Sequence, residues 1–267
     1  MKWFFRLISY SILAVMVAVI LLIIIPGINA FFRPGFFTEF PRSAMAEGGI
    51  FPSIIGSFLL MVFVFLVTIP LGLLGSIFIS EFAPKRFSVF LQSLAGTMNS
   101  IPSIVYGLFG LSFFCVRLRF GTSLISASLT LSTMAIPFFI NNAVEFLRAV
   151  PRELREGVVA LGANKVQTTM MVLKSGKSGL LTTLMLTLGR AFSETAPILI
   201  TGAVFYATRL PGRLTDPIMS LPTSIYAIVM NLGQKSQWMA HGMASLMTIV
   251  MILIYSIVQI IRRHRNG

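Results

Sequence analysis

Six long apolar runs constrain the fold of this chain more than any other feature of its sequence. Each run is at least as long as the roughly 20 residues that an α-helix needs to cross a bilayer. At 56% hydrophobic and 11% charged, the 267 residues also lack the polar surface of a soluble domain of this size. We therefore predict an all-α integral membrane protein with six transmembrane helices, at about residues 7–28, 53–80, 91–116, 122–142, 180–204 and 239–261.

The distribution of basic residues predicts how these helices are oriented, because cytoplasmic segments of membrane proteins carry an excess of Lys and Arg. With both termini cytoplasmic, thirteen of the 21 basic residues fall inside, seven fall outside, and Arg190 lies within a span. The inside set comprises Lys2, Arg6, Lys85, Arg86, Arg148, Arg152, Arg155, Lys165, Lys174, Lys177, Arg262, Arg263 and Arg265. The outside set comprises Arg33, Arg42, Arg117, Arg119, Arg209, Arg213 and Lys235. Arg117 and Arg119 crowd a very short outside loop, and their role stays open.

Four of the predicted spans carry an internal proline, namely Pro70, Pro102, Pro137 and Pro197. Proline frees a backbone carbonyl, which a neighbouring helix or a polar cavity must then satisfy. We expect kinked or discontinuous helices at these positions. Such helices suit a transport pathway, although proline is also generally common in membrane helices.

Two opposite charges, Arg190 and Glu194, lie four residues apart in the apolar run 180–204. A charge at mid-bilayer costs about 2.5–3.5 kcal/mol on insertion scales, so such residues normally face a protein interior or a water-filled path. The pair is therefore a candidate functional site. The structural alternative is an i,i+4 ion pair that only locks two helices together.

Residues 143–179 form the only long segment on the predicted cytoplasmic side. Pro151 and Glu153 mark a helix start, and the apolar residues that follow have the spacing of an amphipathic surface helix broken at Gly162. These residues are Leu154, Val158, Val159, Leu161 and Val166. One interpretation places the helix on lipid headgroups, and the other inserts it into a groove on a cytoplasmic partner.

A sequence within this segment resembles the EAA motif of permease subunits in ATP-binding-cassette importers. In that motif Glu-Ala-Ala, three residues and then Gly form a coupling helix that docks on the ATPase. The matching residues are Glu156, Gly157, Val158, Val159, Ala160, Leu161, Gly162 and Ala163. Glu156 and Gly162 have the right spacing, whereas Gly157 and Val158 replace the two alanines and Leu173-Lys174 replaces the usual downstream Leu-Pro.

Three further motifs resemble phosphate importer permeases of the PstA type. Gly189 to Pro197 is similar to their Arg-Ala-x-x-Glu-Thr-Ala-Pro signature, and Leu221 to Tyr226 is similar to their Leu-Pro-Thr-x-Ile-Tyr segment. Ile101 to Gly110 resembles the third-helix motif of the same group. Together with the EAA-like motif, these motifs are distributed over the chain from residue 100 to residue 226.

The resemblance implies the type I importer permease fold, which is MetI-like, as a single permease domain over residues 1–267. The N-terminal helix would be 7–28, the core permease about 53–261, and the coupling segment about 143–179. It implies a second permease subunit of the PstC type, two ATPase subunits, an extracytoplasmic phosphate-binding protein and surrounding lipid, in a bacterial or archaeal cell membrane. Arg190, Glu194 and Thr195 would lie on the substrate path.

Nothing in the sequence predicts an enzyme. Gly176-Lys177-Ser178 imitates the end of a P-loop, but Met171 stands where that motif requires Gly. His241 and His264 lie at opposite ends of the last span, and a lone Cys115 excludes a Cys-based zinc cluster. We therefore expect neither a metal nor a cofactor. We also expect no nucleic-acid partner, because the basic residues are dispersed between apolar segments.

Other transport classes stay open at this point. A permease for another oxyanion, such as phosphonate or molybdate, would share the fold and the coupling helix, although the Glu-Thr-Ala-Pro and Leu-Pro-Thr-x-Ile-Tyr matches argue against it. An ATP-independent transporter or channel is a second alternative. A membrane scaffold that senses phosphate without carrying it is a third.

Overall fold

The computed structural model describes residues 2–232 and 234–263, which form eleven α-helices and one small hairpin. The helices are α1 (Lys2–Phe31), α2 (Phe51–Ile77), α3 (Lys85–Asn99), α4 (Ser103–Gly110), α5 (Leu124–Arg148), α6 (Arg152–Ala160), α7 (Lys165–Ser175), α8 (Lys177–Ser193), α9 (Ala196–Thr201), α10 (Leu221–Ala227) and α11 (Gln237–Arg263). The strands are β1 (Pro41–Arg42) and β2 (Glu47–Gly48). Helices α2, α4 and α10 continue as π-helical segments at Phe78–Phe82, Leu111–Arg117 and Ile228–Leu232, and a 3₁₀ turn, Gln234–Ser236, precedes α11.

The all-α membrane class is confirmed, but the count of six spans is not. Four helices of the described residues are long and apolar enough to cross a membrane: Trp3–Phe31, Phe51–Phe82, Leu124–Arg148 and Gln234–Ile260. Helices α3 and α4 are bent by 94° at the break that contains Pro102, and they make a fifth span if counted as one. The predicted span 180–204 is not a single helix, because α8 ends at Ser193 and α9 begins at Ala196.

The long helices present apolar side chains outward. Leu22 on α1 is 73% exposed and Leu74 on α2 is 66% exposed. Such surfaces are stable in hydrocarbon, where every backbone group of a helix is satisfied within the helix itself. The described part of the chain is therefore a multi-pass membrane protein.

One compact unit contains the described residues of Met1–Ser57, Val204–Gly212 and Ile218–Ile252. In its hairpin, Ser43, Ala44 and Met45 all adopt the left-handed conformation, and Met45 is buried. The start of α10 is fixed on α2, because Ser57 Oγ accepts from Leu221 N at 2.8 Å and the hydroxyls of Ser53 and Ser224 lie 2.9 Å apart. The Leu-Pro-Thr-x-Ile-Tyr motif thus begins a short buried helix, in a segment that the sequence predicts on the extracytoplasmic side.

The second unit contains the described residues of Phe58–Ala203, Arg213–Pro217 and Leu253–Gly267, and α5 forms its centre. Helix α5 packs against α3, α4, α8 and α9. Its buried residues include Leu131, Met134, Ala135, Phe139, Ala143 and Leu147. The hydroxyls of Ser128, Thr130 and Ser132 donate to carbonyls one turn earlier in α5, which satisfies them inside an apolar core. The charged residues singled out by the sequence lie in this unit.

Candidate functional site

The break between α8 and α9 determines where the charged pair lies. Glu194 caps α8 with extended backbone (φ −73°, ψ 133°), and Pro197 stands in the first turn of α9. Proline suits a first helical turn, where its missing N–H would have no partner in any case. Arg190 therefore lies in the last turn of α8, whereas Glu194 and Thr195 lie in the connection that follows it.

Arg190 and Glu194 do not form the ion pair of the structural alternative. Ion pairs among the described residues join Arg42 to Glu39 and Arg155 to Glu81. Arg190, Glu194 and Thr195 are each half-buried. The structure therefore does not contain the Arg190–Glu194 ion pair that would be needed to lock two helices together.

The guanidinium of Arg190 lies instead against an aromatic ring. Its central carbon is 4.8 Å from the ring centre of Phe138 on α5. This distance is within cation–π range, and the interaction leaves the planar N–H groups of the guanidinium available to an anion. A half-buried cation without a carboxylate partner in the described part of the chain favours binding of an anionic ligand.

Sequence reasoning missed a buried polar contact of Tyr106 on α4, a helix that packs against α9. The Tyr106 hydroxyl donates to the carbonyl of Met98 at 2.9 Å. The sequence signal was a tyrosine inside an apolar span, where a phenol needs a hydrogen-bond partner. Its acceptor belongs to the last turn of α3, next to the bend before α4.

The glycines of the third-helix motif bring α4 close to its neighbours. A Cβ on Gly107 would lie 3.1 Å from Ile200 Cδ1 and 3.2 Å from Pro197 Cα. A Cβ on Gly110 would collide with the side chain of Thr130 on α5. The motif therefore has a packing role, which holds α4 and Tyr106 against α5 and α9.

Helices α3 and α5 are joined by polar side chains near the same bend. With its amide oriented to satisfy the surrounding donors and acceptors, Asn141 accepts from Asn99 Nδ2 and from Gly96 N, both at 3.0 Å. In the same orientation it donates to the carbonyl of Gln92 at 3.2 Å. These contacts fix the end of α3, whose Met98 carbonyl holds the hydroxyl of Tyr106.

The EAA-like motif lies on helix α6 and the turn that follows it, where Gly162 has left-handed backbone. Gly162 has φ +84°, which only glycine adopts without strain, and Asn164 and Gln167 then form a capping box that starts α7. Glu156, Gly157, Val159, Ala160, Leu161 and Gly162 are exposed, whereas Val158 and Ala163 are half-buried. Leu161 is 89% exposed, Val166 63% and Val159 56%.

The described residues contain no group of three His, Cys, Asp or Glu side chains that could hold a metal ion. His241 is exposed, and His264 lies outside the described residues. An apolar cavity of about 370 Å³ is unsuited to an anion, because its lining is almost wholly hydrocarbon. Its lining residues are Phe58, Met61, Val62, Phe65, Leu66, Leu188, Phe192 and Ile254.

Comparison with known proteins identifies similar permeases. The family model described as binding-protein-dependent transport system inner membrane component matches residues 69–266. A phosphate transport system permease protein PstA of Yersinia pestis is 30% identical, over 84% of this chain and 76% of that protein. A PstA of Haemophilus influenzae is 28% identical, over 86% of this chain and 81% of that protein.

A solved structure supports the fold. The chain aligns with a chain of the MetNI methionine ABC transporter with a TM-score of 0.58, over 80% of this chain and 93% of that one. The two sequences are 19% identical, so the likeness concerns the MetI-like fold alone. It confirms the fold that the motifs implied.

Proposed function

Because the chain belongs to the family of binding-protein-dependent transport system inner membrane components, we propose that it is a permease subunit of an ATP-driven phosphate importer. Family membership implies a substrate-binding protein and ATPase subunits as partners. The similarity to PstA proteins supports phosphate as the substrate. The assignment rests on one observation within this permease fold: Arg190 is a half-buried cation that has no carboxylate partner among the described residues.

Phosphate binds at Arg190 on its way through the membrane. Charge-assisted hydrogen bonds between a guanidinium and an oxyanion are strong, and the planar fork of N–H donors fits two oxygens at once. Phe138 supports one face of the guanidinium, with its ring centre 4.8 Å from the central carbon of Arg190. This arrangement orients the donors before the anion arrives.

Glu194 and Thr195 tune the release of the anion. Glu194 follows directly after α8 and is half-buried, so its negative charge opposes an anion that stays at Arg190. Thr195 offers a hydroxyl in the same connection. A transport site must bind its substrate weakly enough to release it on the other side.

The segment from α6 to α7 transmits the work of ATP hydrolysis. Its exposed apolar side chains, Val159, Leu161 and Val166, fit a groove on a cytoplasmic ATPase. Closure of the ATPase dimer moves this segment, and the membrane helices then open the path alternately to each side. The assembly consists of this chain, a PstC-type permease, two ATPases and a phosphate-binding protein, in a bacterial or archaeal inner membrane with both termini of this chain cytoplasmic.

Reconstitution tests this function. The five-subunit complex is placed in vesicles, and uptake of radiolabelled phosphate is measured with and without ATP and the binding protein. We expect uptake to require both ATP and the binding protein. Unlabelled phosphate should compete with the labelled phosphate, whereas phosphonate and molybdate should not. Uptake without ATP, or stronger competition by molybdate or phosphonate than by phosphate, would contradict the proposal.

A further inference from the structure

An ion pair fastens the coupling helix α6 to the end of α2. Arg155 Nη1 lies 2.5 Å from Glu81 Oε2, and the Glu81 side chain is only 8% exposed. The other oxygen of Glu81 accepts from Ser80 Oγ at 2.7 Å. Both oxygens of the carboxylate therefore have a hydrogen-bond partner, and the side chain is held in one orientation.

The same guanidinium also bonds α5. Arg155 Nη2 donates to the carbonyl of Leu147 at 2.7 Å, in the last turn of α5. One side chain of α6 therefore holds two transmembrane helices at once. Helix α5 is joined to α6 through the backbone as well, but Glu81 lies 74 residues earlier in the chain, so α2 depends on non-covalent contacts.

Two further contacts join this segment to the end of α2. Lys165, the first residue of α7, places its ammonium 4.9 Å from the ring centre of Phe82. Ile77 packs against the apolar cluster of Leu147, Val150 and Val172. The contacts converge on the last turn of α2 and on its π-helical end.

That end of α2 is suited to move as a unit with α6. Residues Phe78–Phe82 form a π-helical turn, an irregular geometry that is frequent at functional sites in proteins. Ala83 has extended backbone and ends the turn before α3 begins. The carbonyl of Ile79 accepts from Ser88 Oγ of α3 at 2.7 Å, and Arg148 Nη2 donates to the same hydroxyl.

We propose that the Arg155–Glu81 pair is the connection that delivers movement of the coupling helix to α2. Neither residue touches the substrate, so both are positioning residues for coupling. The inference rests on the proposed function, because it presumes an ATPase that moves α6. Buried ion pairs add little net stability compared with apolar packing, which favours a role in holding one specific arrangement.

Transport and hydrolysis in the reconstituted complex test the connection. Glu81→Gln and Arg155→Gln should assemble and retain basal ATP hydrolysis, but phosphate uptake and stimulation of hydrolysis by the loaded binding protein should fall about tenfold or more. Arg155→Lys should restore part of both, because an ammonium keeps the charge without the fork that serves Glu81 and Leu147 together. Arg42→Gln is the matched control, because it breaks the exposed Arg42–Glu39 pair outside the coupling segment, and we expect wild-type values.

A distance measurement on the otherwise wild-type complex makes the test independent of variant folding. Spin labels at the exposed positions Lys85 and Asn164 report the separation between the segment after α2 and the coupling segment. We expect this distance to be the same in the nucleotide-free and ATP-bound states, since the two parts move together. A distance that changes between these states, or full coupling in Glu81→Gln, would overturn the inference. Failure of the wild-type complex to take up phosphate would instead overturn the proposed function.

Discussion

At the scale of single residues, Arg190 is supported by an aromatic ring rather than by an acid. We predict that Arg190→Gln abolishes phosphate uptake in an assembled complex, and that Arg190→Lys is severely impaired, because an ammonium cannot reproduce the planar donors of a guanidinium. Glu194→Gln should be milder. Uptake in vesicles and copurification of the partner subunits are the measurements.

The charge exchange Arg190→Glu with Glu194→Arg provides the control. We expect it not to restore uptake, since the two positions have different backbone conformations and only position 190 faces Phe138. Substantial uptake by the exchanged pair, with Arg190→Gln failing only through loss of protein, would show that the charges hold the structure together. Phosphate would then take another route.

Gly110 carries a second prediction at this scale. Gly110→Ala places a methyl group in contact with Thr130, so we expect a loss of about 1–3 kcal/mol in the free energy of unfolding. Gly157→Ala is the matched control, because its Cβ would meet nothing within 4 Å on an exposed helix. Alanine there should stabilise by up to about 1 kcal/mol. Thermal unfolding of the purified protein in detergent measures both, and equal midpoints would contradict the packing role.

The sequence identified Arg190 and Glu194 because a charge in an apolar run is visible without any knowledge of neighbours. Phe138 was not identified as part of the site, since it meets Arg190 only through the packing of α5 against α8. Glu81 and Arg155 were missed for the same reason. Contacts between residues more than fifty positions apart leave no periodic signal in a single sequence.

At the scale of elements, the turn between α6 and α7 requires glycine for its backbone rather than for space. A Cβ on Gly162 would meet nothing within 4 Å, but its φ of +84° strains any other residue. We predict that Gly162→Val uncouples ATP hydrolysis from uptake, whereas Gly162→Asn retains more coupling, because asparagine tolerates left-handed backbone. Hydrolysis and uptake are measured on the same vesicles.

Glu156→Lys should uncouple the complex in a similar way, by reversing a charge on the exposed face of α6. Expression and insertion of each variant serve as the control. Normal uptake by both Gly162→Val and Glu156→Lys, at normal abundance, would remove the coupling assignment from this segment.

Run length predicted the long helices well and the broken ones poorly. Average apolarity over 20 residues does not register a bend, so it gave 91–116 and 180–204 as spans, and only the prolines predicted a discontinuity within them. The helices are interrupted close to Pro102 and Pro197, as predicted, whereas α2 and α5 continue through Pro70 and Pro137. Helix α10 escaped notice because its apolar run is too short for a span.

At the scale of the whole molecule, orientation in the membrane is the next measurable property. In a Cys115→Ser background, we predict that cysteines at Lys85, Asn164 and Arg265 react with an impermeant reagent only after the inner side is exposed, whereas one at Lys235 reacts in intact cells. Lys85, Asn164 and Lys235 are exposed, and Arg265 lies outside the described residues. Labelling of Asn164 in intact cells would contradict the orientation.

The continuous helix of α2 and its π-helical end has a consequence for the lipid around the protein. Its 32 predominantly apolar residues, Phe51–Phe82, extend over about 48 Å, whereas the hydrocarbon core of a bilayer is about 30 Å thick. Tilting or local thickening of the bilayer must absorb the difference, each at a modest free-energy cost per ångström of mismatch. Because Glu81 lies at one end of this helix, bilayer thickness biases the position of the coupling contact. Phosphate uptake in vesicles of short-, medium- and long-chain phosphatidylcholines should therefore vary with chain length. Equal uptake in all three would show that bilayer thickness does not affect the coupling contact.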